Sequence, residues 1–255
     1  MKKAIFVSFA LVLVLTTTYL LAQKSTLSIA DRWKKVEAYA QKELPESALK
    51  EIDIILKQAQ KEHRQDEVIK AMVCKMRFTL DKDPDKAPEL IREFEAFTLQ
   101  TTDPATRALL HSMTAELYAN YYNRDSWTIN QRTEIKGAAP EDMKEWTRNM
   151  YVDKVLDHLQ KSIVPQKVLT KTSPDKIRVL LSRGKDSPKI EPSLYEFLLH
   201  RKMLILRDLN PEENSAKLLN TEYLGSITSF LKMKDDSEAT RIESEIAIGY
   251  RQLIR

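Results

Sequence analysis

The feature that most limits the fold is the spacing of apolar residues, which from about residue 27 onward is helical rather than alternating. Between Pro45 and Glu62, Ala48, Leu49, Ile52, Ile55, Leu56 and Ala59 make one stripe, while Glu46, Lys50, Glu51, Asp53 and Lys57 cover the remaining surface. Such a stripe must bury against a neighbouring helix. Four glycines in 255 residues argue against glycine-hungry alternatives such as nucleotide-binding α/β sheets and turn-rich β-sandwiches. The expected class is all-α. One cysteine permits no intrachain disulfide and excludes a zinc site that needs two or more thiolates. The charge, 41 Lys+Arg against 37 Asp+Glu for a formal +4, is too dispersed to mark a nucleic-acid surface.

The chain opens with Met1-Lys2-Lys3, an apolar run from Ala4 to Leu15, Thr16-Thr17-Thr18, and Tyr19-Leu20-Leu21-Ala22-Gln23. A basic start, a short apolar core and a small residue before a polar one make residues 1–22 a secretory signal peptide, with cleavage expected after Ala22. Leu20 departs from the small residue that the peptidase prefers. The alternative is an uncleaved anchor, since the run to Ala22, at about 1.5 Å per residue, would just cross a hydrocarbon core. Ser8 and the three threonines make it a poor span. No cysteine stands where a bacterial lipid anchor would need one. Residues 23–255 are expected to form one helical repeat-like domain, with a possible sub-boundary near 124–140 and an irregular segment at 165–192.

Within that domain the helices come as hairpins. Trp33, Val36, Ala40 and Leu44 share a stripe, and Glu43-Leu44-Pro45-Glu46 separates it from the next helix by a tight turn, with Pro45 in the first turn where its missing amide hydrogen costs nothing. Asp66 can cap a third helix with Val68, Ile69, Met72, Val73 and Met76, and a fourth carries Leu90, Ile91, Phe94 and Phe97. Asp103-Pro104 opens a long helix with Leu110, Met113, Leu117 and Tyr121 on one face. Pro140-Glu141-Asp142 starts another through Trp146, Met150, Val155, Leu156 and Leu159 to Ile163. Ser173-Pro174-Asp175 opens a short helix with Ile177, Leu180 and Leu181, closed near Gly184, and three more follow over 193–208, 212–232 and 237 to the end. A hairpin period of about 35 to 40 residues is that of tetratricopeptide-like arrays. The expected architecture is antiparallel helical hairpins stacked as a tetratricopeptide-like solenoid or superhelix. The last residues, from Ile246 to Arg255, break off in mid-pattern. A continuing chain and an ordinary C-terminal helix both fit.

Few residues are spaced for chemistry. His63, His111, His158 and His200 form no His-Glu-x-x-His pair or Cys/His cluster. Each is expected to be structural, His111 as a partly buried histidine bonded to backbone. Cys74, beside Val73 and Met76 with Lys70 four residues earlier, is expected to be a buried, inert thiol. Glu141-Asp142 with Glu145, and Asp235-Asp236, lack the alternating oxygens and turn glycine of a calcium loop and suit helix starts and solvated surface. With no phosphate loop or nucleophile elbow, no catalytic residue, cofactor or metal is expected. The most distinctive stretch holds Tyr118, Tyr121, Tyr122, Arg124 and Trp127. It suits either a ligand platform or, as the commoner case, rings buried between helices.

Four segments carry a resemblance. They are Trp33-Lys34-Lys35-Val36-Glu37 with Leu44-Pro45-Glu46-Ser47-Ala48-Leu49-Lys50-Glu51-Ile52-Asp53; Leu110-His111-Ser112 with Ala115-Glu116-Leu117-Tyr118 and Tyr121-Tyr122; Trp127-Thr128-Ile129-Asn130-Gln131-Arg132-Thr133; and Leu194-Tyr195-Glu196-Phe197-Leu198-Leu199-His200-Arg201. In their order and spacing, over residues 30–205, the chain resembles the N-terminal helical region of exported bacterial alpha-2-macroglobulin-like proteins. The resemblance implies a non-catalytic scaffold or interaction domain of a protease-inhibitor family, in the periplasm or cell envelope. Its partner would be a protein, either the following domains of a parent chain or another envelope protein, with membrane contact only if the N-terminal segment is kept. The family's thioester pairs a Cys with a nearby Gln, and Cys74-Lys75-Met76-Arg77 does not match it. The alternative is a stand-alone periplasmic tetratricopeptide-like module that binds a peptide or protein.

Overall fold

A computed structural model describes residues 27–135, 137–175, 187–209, 226–232 and 241–254. The signal peptide with its Ala22 cleavage site, the helix expected around Ile177 to Gly184, Asp235-Asp236 and the starts of the last two expected helices lie outside the described residues. Among the described residues the regular structure is entirely helical, and no helix is long and apolar enough to cross a membrane. The chain divides into two compact units, joined between Lys82 and Asp83.

The first unit holds α1 (Ile29–Gln41), α2 (Pro45–Lys61) and α3 (Gln65–Lys82). Ser28 caps α1 by accepting from the Asp31 amide at 3.1 Å. Pro45 begins α2 as expected, whereas Asp66 lies inside the first turn of α3 instead of capping it. The stripe of α2 is buried along Ala48, Ile52, Ile55 and Ala59, all at 0% exposure, because this helix packs on α1 and on α3. The stripe expected on α1 shifts: Ile29 and Val36 are buried, but Ala40 and Leu44 are exposed. Leu44 has left the helix for the turn, where its amide bonds the Tyr39 carbonyl at 2.9 Å. Trp33 turns its Nε1–H to Glu67 Oε2 at 2.7 Å, tying α1 to α3, and the Lys70 ammonium lies 4.3 Å above its ring.

The two turns of this unit are copies. The amide of Leu44 bonds Tyr39 O and that of Arg64 bonds Ala59 O, both at 2.9 Å, and the residue just before each, Glu43 or His63, has φ of 54°. This six-to-one closure normally places glycine at the left-handed position. Neither Glu43 nor His63 gains a tertiary contact that requires its side chain among the described bonds. Replacing Glu43 or His63 by Gly should raise the stability of the first unit by about 1 kcal/mol per turn, read as a higher midpoint in chemical denaturation. An unchanged or lower midpoint in both variants would contradict the turn assignment.

The second unit holds α4 (Ala87–Gln100), α5 (Pro104–Arg124), α6 (Ser126–Asn130), α7 (Arg148–Ser162), α8 (Gln166–Leu169), α9 (Ser187–Ile190), α10 (Leu194–Leu209), α11 (Ile227–Lys232) and α12 (Arg241–Ile254). Asp103 caps α5, its Oδ2 accepting from the Thr106 amide at 2.8 Å, with Pro104 at the first helical position as expected. The rest of α5 departs from a one-faced helix. It packs on α4, α7 and α10, so Leu109, Leu110, Ser112, Thr114, Ala115, Tyr118, Ala119 and Tyr122 are all buried, while the expected Met113, Leu117 and Tyr121 are only partly covered. Ala105, Ala108, Ser112, Ala115 and Ala119 recur three and four residues apart. Small side chains at that spacing let neighbouring helices approach closely.

α7 begins at Arg148, not at Pro140. The backbone before it is claimed by tertiary bonds. Trp146 is extended (φ −66°, ψ 143°), its Nε1–H donates to Pro140 O at 2.7 Å, its carbonyl accepts from Arg132 at 2.6 Å, and the Tyr151 hydroxyl donates to Met143 O at 2.5 Å. A helix through this stretch would forfeit all three. Residues 124–140 lie within the second unit and contain α6, whose Ile129 is buried. Of the segment 165–192, the described residues hold the single turns α8 and α9 and no longer helix.

Candidate functional site

The densest constellation of titratable groups lies where α4, α5 and α7 meet. Glu95 of α4 accepts three hydrogen bonds: from His158 Nε2 at 2.9 Å and Lys154 Nζ at 2.8 Å, both on α7, and from the Tyr118 hydroxyl of α5 at 2.7 Å. His158 then meets His111 of α5, with the two Nδ1 atoms 2.9 Å apart. A carboxylate only accepts, so His158 carries its proton on Nε2 toward Glu95. The Nδ1 contact has room for a single hydrogen.

The electrostatics follow from this order. Burial pushes the Glu95 pKa upward, but the bonds from His158, Lys154 and Tyr118 together hold its carboxyl well below the usual range. Burial, and then the bond to the Glu95 charge, push the Tyr118 phenol far above its usual value. Burial also lowers His111, helped by the neighbouring His158 and Lys161, to about 4. His111 was expected to bond backbone; its partner is instead another histidine. The whole constellation is a hydrogen-bonded network that binds three helices together.

The aromatic stretch is divided by the fold. Tyr118 and Tyr122 are buried: Tyr118 stacks on Trp146 with centroids 5.9 Å apart, and the Tyr122 hydroxyl donates to Asn130 Oδ1 at 2.8 Å. Trp127 goes the other way and is 77% exposed. Tyr121 and Arg124 stay together, the guanidinium carbon 5.0 Å from the ring centroid. They border a cleft of about 390 Å³ completed by Asp85, Asp125, Ile129, Arg132, Lys144 and Tyr151. Arg132, Lys144 and Tyr151 were not singled out from the sequence. Arg132 and Tyr151 enter because their bonds fix the turn Met143–Glu145 and the extended Trp146 after it.

His63 is exposed in its turn, and His200 Nδ1 lies 2.9 Å from Glu191. Cys74 is half-buried, and burial raises its pKa against the opposing pull of Lys70 and Arg77, which keeps it a thiol. Asp142 caps the turn Met143–Glu145 by accepting from the Lys144 amide. Among the described residues, no three His, Cys, Asp or Glu side chains gather as metal ligands. No pattern in the sequence could have joined Glu95 to His158 or His158 to His111, because these pairs stand 63 and 47 residues apart. Comparison with protein-family models, curated proteins and solved structures finds no match to the chain.

Two outcomes are expected of this seam. Tyr118→Phe keeps the ring on Trp146 but removes a donor to a charged acceptor, and should cost about 1.5–3 kcal/mol in urea denaturation. A loss below a few tenths would mean that the hydroxyl bond is not formed. His111 should make stability pH-dependent. Its folded pKa lies below the unfolded 6.5, so as pH falls from about 6.5 to about 4 only the unfolded chain takes up this proton, and stability drops by on the order of 3 kcal/mol. Thermal melts across that range should show the decline in the wild type and a flatter profile in His111→Phe; parallel profiles would remove His111 as the cause.

Proposed function

We propose that the chain is a non-catalytic helical scaffold and interaction domain, the N-terminal part or a relative of an exported alpha-2-macroglobulin-like protease inhibitor. The observation that supports it best is how the polar groups are used. Glu95, His158, His111, Tyr118 and Lys154, the residue types from which acid-base chemistry is built, are bonded to one another across three helices. That is the pattern of a structural network. The segments that carry the resemblance fall on α1, α2, α5, α6 and α10, and on the joins beside them. In this reading residues 1–22 direct export to the periplasm or envelope, and the partner is a protein. The rival, a stand-alone periplasmic peptide- or protein-binding module, draws on the open cleft beside Tyr121 and Arg124.

The coding frame past codon 255 separates the two: β-rich domains followed by a Cys-x-x-Gln-like motif favour the family reading, and an immediate stop favours the module. Incubated with an active protease, the chain by itself should form no denaturant-resistant adduct. A covalent adduct, at Cys74 or elsewhere, would overturn the scaffold reading.

A further inference from the structure

We propose that the cleft between Tyr121, Arg124, Arg132 and Tyr151 binds a peptide carboxylate that stands beside an aromatic or large apolar side chain. The inference rests on the interaction-domain reading and names the chemistry of its partner. The cleft, at about 390 Å³, has the size of small-ligand sites. Its lining is mostly polar and charged, over a packed floor: Ile129 and Tyr151 are buried at 1% and 0% exposure, and the half-buried ring of Tyr121 lies 5.9 Å from that of Tyr151. Burial keeps the Tyr151 phenol neutral, so it does not repel an anion.

The charges are unbalanced in one direction. Lys144 stands 3.7 Å from Asp85, and these two offset each other. That leaves Asp125 as the other carboxylate of the lining, against two guanidiniums. Among the described residues neither Arg124 nor Arg132 forms an ion pair. Each is instead held by a backbone carbonyl, Arg124 by Pro84 O at 3.4 Å and Arg132 by Trp146 O at 2.6 Å. Arg124 also lies on the Tyr121 ring, and Arg132 lies against the Tyr151 hydroxyl. A guanidinium has five donors in a fixed fork, and one carbonyl occupies few of them. Anchoring removes part of the entropy that a free arginine would lose on binding. Two anchored forks opposed by the single carboxylate of Asp125 leave a net positive cleft that fits a carboxylate held by paired hydrogen bonds, with a ring or apolar side chain against the half-buried Tyr121 ring.

The carboxylate could be a chain terminus or an acidic side chain, and the test separates them. The full chain is titrated by calorimetry with four N-acetylated peptides containing phenylalanine, followed by a free C-terminal carboxylate, a C-terminal amide, an internal glutamate or an internal glutamine. The carboxylate forms should bind about tenfold more tightly than their amide counterparts. Binding of the free terminus alone, of the glutamate alone, or of both identifies the source, and each result supports the site. Arg124→Gln should weaken the preferred peptide about fivefold or more with little movement of the unfolding midpoint, because Arg124 is an exposed residue and its bond to Pro84 O is long, at 3.4 Å. Asp125→Asn should tighten it. The site is overturned if no peptide binds, if carboxylate and amide bind alike, if inorganic phosphate binds as tightly as the carboxylate peptides, or if Arg124→Gln has no effect. These failures would remove the carboxylate site alone; the scaffold reading falls only with covalent capture of protease.

Discussion

Helix α5 is enclosed by α4, α7 and α10, and much of the second unit follows from that enclosure. A helix with one wet face can leave its polar side chains to water. An enclosed one cannot, since each buried donor or acceptor left unmatched costs about 1–3 kcal/mol. The polar residues along α5 are accordingly matched one by one. Thr114 shares a 3.0 Å contact with Thr98, Ser112 accepts from Arg201, His111 meets His158, Tyr118 donates to Glu95, and Tyr122 donates to Asn130. The partners come from α4, α6, α7 and α10, so satisfying one helix orients four others. The small residues between them set how near those helices come.

Glu95 is the point of greatest concentration. Its single charge is shared by a lysine, a histidine and a tyrosine, and replacing any one donor would leave the others bound to a less well compensated carboxylate. Charged hydrogen bonds of this kind are stronger than neutral ones because each donor is attracted by a full negative charge and not only by a partial one. The pairing of His111 with His158 extends the network by one group and makes the seam between α5 and α7 answer to acid, through a proton that only the unfolded chain accepts.

The first unit solves a simpler problem. Its middle helix is narrow at the contact, with Ala48 and Ala59 bracketing Ile52 and Ile55, and two identical turns return the chain over it. Among its described residues one charged side chain is buried, Glu67, and it is matched by Trp33 and Arg64. Matched polar groups are thus built into each unit, and in the second they border a cleft in which Arg124 and Arg132 form no ion pair among the described residues.

The helices themselves were legible in the sequence, because a 3.6-residue stripe, a proline at the first turn and an aspartate before it act locally: α2 and the start of α5 stand where Pro45 and Asp103-Pro104 place them. What failed was what distance along the chain hides. Pro140 to Trp146 has helical spacing, yet its carbonyls are taken by Trp146, Arg132 and Tyr151. The stripe expected on α5 was a single face because a sequence shows period, not how many neighbours a helix has. Of the aromatic stretch, spacing could say that Tyr118 and Tyr122 share a side, but not that Tyr118 would reach Glu95, that Trp127 would face water, or that Tyr121 and Arg124 would join Arg132 and Tyr151. By itself, then, the sequence determined an all-helical chain of hairpins, since helix propensity, caps and period are properties of neighbouring residues. Only the tertiary structure decided which polar groups are consumed and which remain available, since hydrogen bonds between residues tens of positions apart exist only once the helices have packed.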